Sequence, residues 1–306
     1  MVTPGKVLKA LGNGIRRVSG PPVVVLIYHR VTDLNQDPQG LAVSPRNFRE
    51  QVASLKESFE VFRFEETWRP RHRPGVVLTF DDGYADNFEQ ALPILEEFQV
   101  PATIFVSTGW VDTTDEAWWD ELERIFLLGL GHSSGRPRRE LEGAYWASHR
   151  EIKGLPVSER RRRLDDLRRI WDVPPGGRAS HRALSWEQVR RLARSPLITL
   201  GAHTVHHPQL STQDRATQEQ EIGESRRALE SLTNQSIRVF SYPYGTRTDY
   251  DRNSLELVRA AGFEKVAANF NGPWFPGDSQ WEIPRQLVRN WDRRTFLSKM
   301  KNFQFV

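Results

Sequence analysis

The chain has 306 residues, of which 38% are hydrophobic and 27% charged, the composition of an ordinary soluble globular protein with enough length to bury a large core. No run approaches the roughly 20 apolar residues of a membrane-spanning helix. Zero cysteines exclude disulfides and thiolate metal sites, which leaves any metal to His, Asp and Glu. The net charge of +4 is carried by arginines that cluster at 136–139, 160–163 and 168–169. Such clusters attract anionic partners, but Glu159, Asp165 and Asp166 stand among them, and a salt-bridged helix face is the favoured reading.

In chain order, the segment 1–22 is basic, with Lys6, Lys9, Arg16 and Arg17 flanking Val7, Leu8, Leu11, Ile15 and Val18 at helical spacing. Docking on the domain or disorder is the favoured expectation there; weak peripheral attachment to a membrane surface is the alternative. It lacks the apolar stretch and cleavage site of a secretory signal. The expected location is therefore the cytoplasm, with the inner face of the membrane as a peripheral option. Val23–Tyr28 is a continuous β-branched run and reads as a buried strand ending at His29. Ser44-Pro45 reads as an N-cap and first helical residue, and the helix after it sets Phe48, Val52 and Leu55 on one face. A second buried strand, 76–80, runs into Asp81-Asp82-Gly83, and Phe88, Leu92, Leu95 and Phe98 then follow at helical spacing. After Pro101, residues 102–106 form a third strand.

The alternation resumes with strand 197–201, helix 214–233, strand 238–241, helix 249–261 and strand 264–268. Strands alternating with helices imply a parallel sheet with helices packed outside. Between the two halves, about 113–194, lies an arginine-rich and mostly helical insertion, whose last helix opens on the capping box Ser185-Trp186-Glu187-Gln188. The fold class expected is α/β, a distorted (β/α) barrel carrying that insertion. Residues 23–306 form a single domain in this reading.

In a parallel α/β fold the residues just past the carboxyl ends of strands line the active-site face. Asp81 and Asp82, His203, and His29 all occupy that position after three different strands. An isolated Asp-Asp-Gly is most simply a turn, but here the histidine pair falls at an equivalent strand end. His203 and His207 stand at i, i+4, which puts two imidazoles on one face if the segment is a helical turn. His206 points elsewhere in that arrangement. Two His and one carboxylate leave coordination positions open for water and substrate.

The segment Thr79-Phe80-Asp81-Asp82-Gly83 followed by His203-Thr204-x-x-His207 resembles the first two motifs of the polysaccharide deacetylases of carbohydrate esterase family 4, the NodB-homology domain. A third segment, Arg238-x-Phe240-x-x-Pro243-Tyr244-Gly245, is similar to the family's substrate-groove motif. The Tyr-His-Arg start and the Tyr-Pro-Tyr-Gly segment look most like the subgroup found with exopolysaccharide and lipopolysaccharide synthesis. The match runs from about Val23 to Trp291.

This resemblance implies a metal-dependent hydrolase that removes an N-acetyl group from an N-acetylated sugar. The substrate is a polysaccharide, a lipid-linked glycan or a glycoconjugate intermediate, which the basic surface suggests could carry phosphate. Asp82, His203 and His207 would hold one divalent ion, zinc first, with cobalt, nickel or iron as options. Asp81 would be the general base, and the Tyr244 backbone N–H would hold the oxyanion. The chain departs from the family in lacking a late Leu-x-His motif: it has Ile283-Pro284-Arg285-Gln286-Leu287, and no His after His207. His29 is the candidate for the missing acid, against a strand-end residue satisfied by backbone. Arg285 or Arg238 would pair with Asp81 to keep it ionised. Tyr84, Arg238, Pro243, Tyr244 and Trp274 are expected at the substrate groove, with Trp118 or Trp119 as further stacking candidates. The alternatives are an O-acetyl esterase or other amidohydrolase on the same site, a catalytically silent carbohydrate-binding protein, and nucleic-acid binding through the arginines, which no accompanying motif supports.

Overall fold

The computed structural model describes residues 21–128 and 135–303. The basic segment 1–20 and its membrane-surface alternative lie outside the described residues. The valine-rich run Val23–Tyr28 forms β1, fully buried, because strands covered on both faces need apolar side chains at every position. It is followed by the short strands β2 (Arg30–Val31) and β3 (Ala42–Val43) and by helix α1 (Pro45–Ser58). Ser44 caps α1 through its side chain to the Asn47 N–H. Next come β4 (Glu60–Phe62), β5 (Gly75–Phe80), a π-helical turn Asn87–Ala91, α2 (Leu92–Phe98) and β6 (Ala102–Val106).

The insertion contributes α3 (Trp118–Phe126), α4 (Arg138–Lys153), α5 (Val157–Ile170) and α6 (Trp186–Arg194). The chain then returns to the sheet with β7 (Ile198–Ala202), α7 (Arg215–Thr233), β8 (Val239–Ser241), α8 (Arg252–Ala260), β9 (Lys265–Ala267), β10 (Gln286–Leu287) and α9 (Arg293–Phe303). Ser185 with Gln188 forms the capping box at α6. Strands β2, β3, β4 and β10 are additions to the elements expected; at two or three residues each they are too short to carry a period.

All strand pairs of the main sheet are parallel, in the order β10-β1-β5-β6-β7-β8-β9, with β4 beside β5. The arc is drawn together by one segment: Ile283 bridges to Ala267 of β9, and three residues later Gln286 pairs with Leu26 of β1. The result is the distorted barrel expected. Alternation along the strands divides the core. Val24, Leu26 and Tyr28 of β1 and Val76, Leu78 and Phe80 of β5 pack under the surrounding helices. Val23, Val25 and Val77 point into the barrel, where Phe64, Trp68, Phe105 and Trp274 fill its floor. Higher on the inner face the side chains turn polar, with Thr79, Asp81, Ser241 and Arg285 all buried. The insertion has its own core, built on Trp118, Trp119, Leu122, Phe126, Tyr145 and Leu164, and it closes over Tyr84 from the β5 loop.

Candidate active site

The three motif loops leave strands of the one parallel sheet at their carboxyl ends. Asp81 and Asp82 follow β5, His203 follows β7, and Tyr244 lies three residues beyond β8. Of the eight non-glycine residues with positive φ among those described, four are Asp82, Thr204, His207 and Tyr244. Such backbone costs of order 1 kcal/mol or more per residue and persists where the surroundings fix it, which marks these loops as built for position. Gly245, at φ +67°, supports the same turn: a Cβ there would come within 2.8 Å of the Asn269 nitrogen.

The histidine loop is not the helical turn expected from the i, i+4 spacing. Residues 203–209 are irregular, and Thr204 and His207 adopt left-handed backbone. The buried Glu221 of α7 explains this, because its carboxylate accepts from the backbone N–H groups of Val205 and His206 at 2.9 and 2.8 Å. Those groups are thereby satisfied outside a helix. Glu221 also takes the half-exposed His206 ring out of the site, at 2.7 Å from Nδ1.

His203 and His207 nevertheless converge. Their Nε2 atoms stand 3.5 and 3.4 Å from Asp82 Oδ1, and the three residues form a buried group whose ligand atoms all lie within 4.8 Å of one another. Metal–ligand bonds of about 2.1 Å in tetrahedral directions separate ligand atoms by about 3.4 Å, so the spacing fits one small divalent ion. Asp82 Oδ1 is buried without a hydrogen-bond partner, the signature of an atom reserved for something else. His203 Nδ1 lies 2.7 Å from the Ser241 carbonyl, which fixes the tautomer and leaves Nε2 as the ligand. Burial, then the neighbouring His203 and Arg160, hold His207 well below the usual imidazole pKa, in the neutral form that binds metal. A second group, Asp120, Glu123 and His181, has similar spacing. One oxygen of each carboxylate is already engaged, Asp120 Oδ2 by the Tyr84 hydroxyl and Glu123 Oε1 by Arg178, while His181 Nε2 is buried without a partner.

Beside the triad, Asp81 turns to Arg285. The arginine donates from Nη1 and Nη2 to the two carboxylate oxygens, each at 2.7 Å, and is fully buried. Burial alone would raise the Asp81 pKa; Arg285 and then His203 outweigh it, and the carboxyl is held at about 2. Asp81 is thus an anion at neutral pH, hydrogen-bonded also by the Ser241 hydroxyl at 3.1 Å.

These groups open into a cavity of about 500 Å³. His29, Asp81, Asp82, His203, His207 and Tyr244 line it, facing Trp119, Trp146, Asn269 and Arg289. The His29 ring is partly buried with Nδ1 unpartnered; its backbone carbonyl is the part engaged, by Asn87. Burial lowers the His29 pKa, and the Asp82 and Asp81 carboxylates work against that. The Tyr244 N–H has no intramolecular acceptor among the described residues.

Several expectations need correction. Arg238 immediately precedes β8, at the end of the strand away from the site, and pairs with Glu264 at 3.5 Å on the surface. It reaches neither Asp81 nor the groove. Trp274 plugs the barrel floor, edge-on to Trp68 at 5.0 Å and bridged to Val23, the first residue of β1. Tyr84 and Pro243 are buried behind the cavity wall. Tyr84 donates to Asp120 and accepts from Trp119 Nε1, and the Pro243 carbonyl accepts from the Gly245 N–H. Of the Trp118-Trp119 pair, Trp119 lines the cavity. Most of the insertion's arginines are paired internally, among them Arg161, Arg163, Arg168 and Arg169.

Ser241, Glu221 and Arg160 are site residues that sequence reasoning does not single out. Ser241 could have been found as the last residue of a buried strand. Arg160 is buried and donates to the carbonyls of His206 and His207 at 2.9 and 3.3 Å, a role its place in an arginine run conceals.

A family model described as polysaccharide deacetylase matches residues 69–136 and 144–266. The chain belongs to the polysaccharide deacetylase family. It is 36% identical over 97 residues to the poly-β-1,6-N-acetyl-D-glucosamine N-deacetylase of Escherichia coli strain K12, a match that spans 29% of this chain and 14% of that relative. The structure of IcaB from Ammonifex degensii superposes with a TM-score of 0.63 at 20% identity, covering 94% of this chain and 98% of that one. A Streptococcus pyogenes deacetylase, PplD, solved with acetate, gives 0.61 at 18% identity over 92% and 99%. Both likenesses speak to the fold.

Proposed function

We propose that this family member is a metal-dependent N-deacetylase of a β-linked N-acetylhexosamine glycan, of the class named for the E. coli relative. The observation that carries the reading is the placement of a buried Asp82–His203–His207 triad directly beside an arginine-held aspartate, in one cavity at the strand ends. A two-His, one-carboxylate set suits zinc as well as cobalt, nickel or iron, and we take zinc as the resident ion. When bound, the ion supplies Lewis acidity and lowers the pKa of water toward neutrality.

The chain's own residues supply the rest. Asp81, ionised and held by two hydrogen bonds from Arg285, accepts the proton of the attacking water. The Tyr244 N–H is the donor to the carbonyl oxygen as it gains charge, a contribution typically worth about 3 kcal/mol. His29 delivers a proton to the departing amine nitrogen, the task a late Leu-x-His histidine performs in other members of the family. Trp119 and Tyr244 shield the reacting atoms from bulk water.

Acetate release tests the reading. The zinc-loaded protein should liberate acetate from N-acetylglucosamine oligomers, and Asp81→Asn should keep one equivalent of zinc while losing at least a hundredfold in kcat. Zinc bound with no acetate released from any N-acetylated glycan would refute it. Full metal occupancy in either His203→Ala or His207→Ala would sink the ligand assignment.

A further inference from the structure

Lys153 is the last residue of α4, in the helical insertion, where a cation suits the negative end of the helix dipole. Its ammonium reaches across to the third motif loop at two points. It lies over the Tyr244 ring, 4.3 Å from the centroid, and 2.6 Å from Asp249 Oδ1. Asp249 is 1% exposed, and Lys153 is its one ion-pair partner among the described residues. A carboxylate so deeply buried needs a counter-charge, and no hydrogen bond reaches this oxygen. The other oxygen, Oδ2, accepts from the Thr246 N–H at 3.0 Å and from the Thr246 hydroxyl.

The two contacts bracket the turn that carries the oxyanion donor. Tyr244 holds left-handed backbone at φ +59°, which a non-glycine residue keeps only where its surroundings fix it. Its ring stands edge-on to His207 at 4.5 Å, and its hydroxyl donates to the His207 carbonyl at 3.4 Å. The ring is thus held by a candidate metal ligand and by the ammonium of Lys153. An ammonium drawn partly out of water binds an aromatic face more strongly than an exposed one, and the Lys153 side chain is 25% exposed. Lys153 does not line the cavity, so it reaches the reacting atoms only through Tyr244.

We propose that Lys153 is a positioning residue for the oxyanion donor. The ammonium, seated on Asp249, fixes the Tyr244 ring and with it the backbone that presents the Tyr244 N–H. The insertion thereby sets the rate of the chemical step and not only the shape of the cavity. A displacement of about 1 Å in such a group can cost about a hundredfold in rate. This deepens the proposed deacetylase reading and rests on it for the role of the Tyr244 N–H.

The test compares zinc-loaded wild type with Lys153→Arg and with the double variant Lys153→Met/Asp249→Asn. The double variant removes both charges and keeps an acceptor for Thr246, so its Tm should stay near that of wild type. Selective ¹⁵N-tyrosine labelling gives six amide signals, one per tyrosine, and Tyr244→Phe assigns the one that matters. In the double variant the Tyr244 amide signal should be displaced. Its kcat should fall about 10- to 100-fold on both an N-acetylated glycan and an aryl acetate, since both pass through an oxyanion. KM and zinc affinity should stay within about threefold of wild type, about 0.65 kcal/mol. Lys153→Arg keeps the cation and should retain the wild-type amide signal and most of kcat. A wild-type Tyr244 signal and kcat in the double variant would reduce Lys153 to a structural ion pair and overturn the proposal, as would a loss confined to KM or to zinc affinity. If the signal moves as expected and wild type releases acetate from no N-acetylated glycan, the positioning stands and the deacetylase reading fails. If acetate is released and neither signal nor kcat depends on Lys153, the deacetylase reading stands and the positioning fails.

Discussion

Arg285 spends all five of its N–H donors inside the barrel, and two of them go to Asp81. Nη1 and Nη2 each reach a different oxygen of that carboxylate at 2.7 Å; the other three bonds go to the Ala268 carbonyl, Thr79 Oγ1 and Ser241 Oγ. Below it the guanidinium meets the Phe105 ring at 5.6 Å, so the arginine sits between the aromatic floor and the catalytic rim. A planar five-donor fork fits such a set, and an ammonium does not.

Removing one partner of this pair strands the other. Arg285→Met should therefore lower stability by about 3–5 kcal/mol, because Asp81 remains buried without its counter-charge. Asp81→Asn leaves the guanidinium uncompensated and should also cost stability. The double variant Asp81→Asn/Arg285→Met should lose less than the sum of the two. Urea unfolding of all four proteins gives the coupling energy, and strict additivity would mean the pair does not act as a unit.

Arg160 tests whether the insertion serves the metal. It touches no ligand side chain, yet it holds the carbonyls of His206 and His207 from α5, while Glu221 holds the N–H groups of Val205 and His206 from α7. Loss of groups that orient metal ligands typically costs 10- to 100-fold in affinity. Arg160→Met should weaken zinc binding within that range in a chelator competition, with the metal stoichiometry still one at saturation. Wild-type affinity would mean that the loop is held by Glu221 alone.

How much of this is legible in the sequence follows from the range of each signal. Strands such as Val23–Tyr28 announce themselves because burial on both faces forces six apolar residues in a row. Their carboxyl ends then place Asp81, His203 and His29 on one rim by topology alone. The spacing of His203 and His207 suggests shared ligation correctly but for the wrong backbone, since the competing partner for their loop, Glu221, lies 15 and 16 residues away. Arg238 and Arg285 are indistinguishable in sequence as partners for Asp81. The difference is which end of a strand each occupies, and β8 has three residues, a span of about 10 Å. Trp146 and Arg160 are hidden for the same reason: each sits in a polar, charge-rich helix whose contacts to the site cross the boundary of the insertion.

Asp120 offers a pH test. Burial pushes its carboxyl up to about 7, with Arg30 and the Tyr84 hydroxyl opposing. An unfolded aspartate titrates near 3.9, so between about pH 4 and 7 the folded state binds the extra proton and stability falls as pH rises. Above about pH 7 both states are ionised and the penalty is constant. Asp120→Asn keeps an acceptor for Tyr84 and removes the titration. It should be more stable than wild type by about 1–3 kcal/mol at pH 8, with the gain shrinking toward pH 4. A stability difference that does not vary between pH 4 and 8 would show that Asp120 is ionised throughout.

The assignment of His29 as the acid is separable from any role in holding the fold. Its ring faces the cavity with Nδ1 unpartnered, while its backbone is tied by Asn87, so His29→Gln removes a proton donor with little loss of packing. General acid catalysis contributes about 10²–10⁴-fold. An amine leaving group needs that proton, whereas a phenolate, a far weaker base, departs without it. His29→Gln should therefore lose at least a hundredfold in kcat on an N-acetylated glycan but less than tenfold on an aryl acetate, with zinc content unchanged. Equal losses on both substrates would mean that His29 positions the water or the substrate, and that the proton for the amine comes from another group.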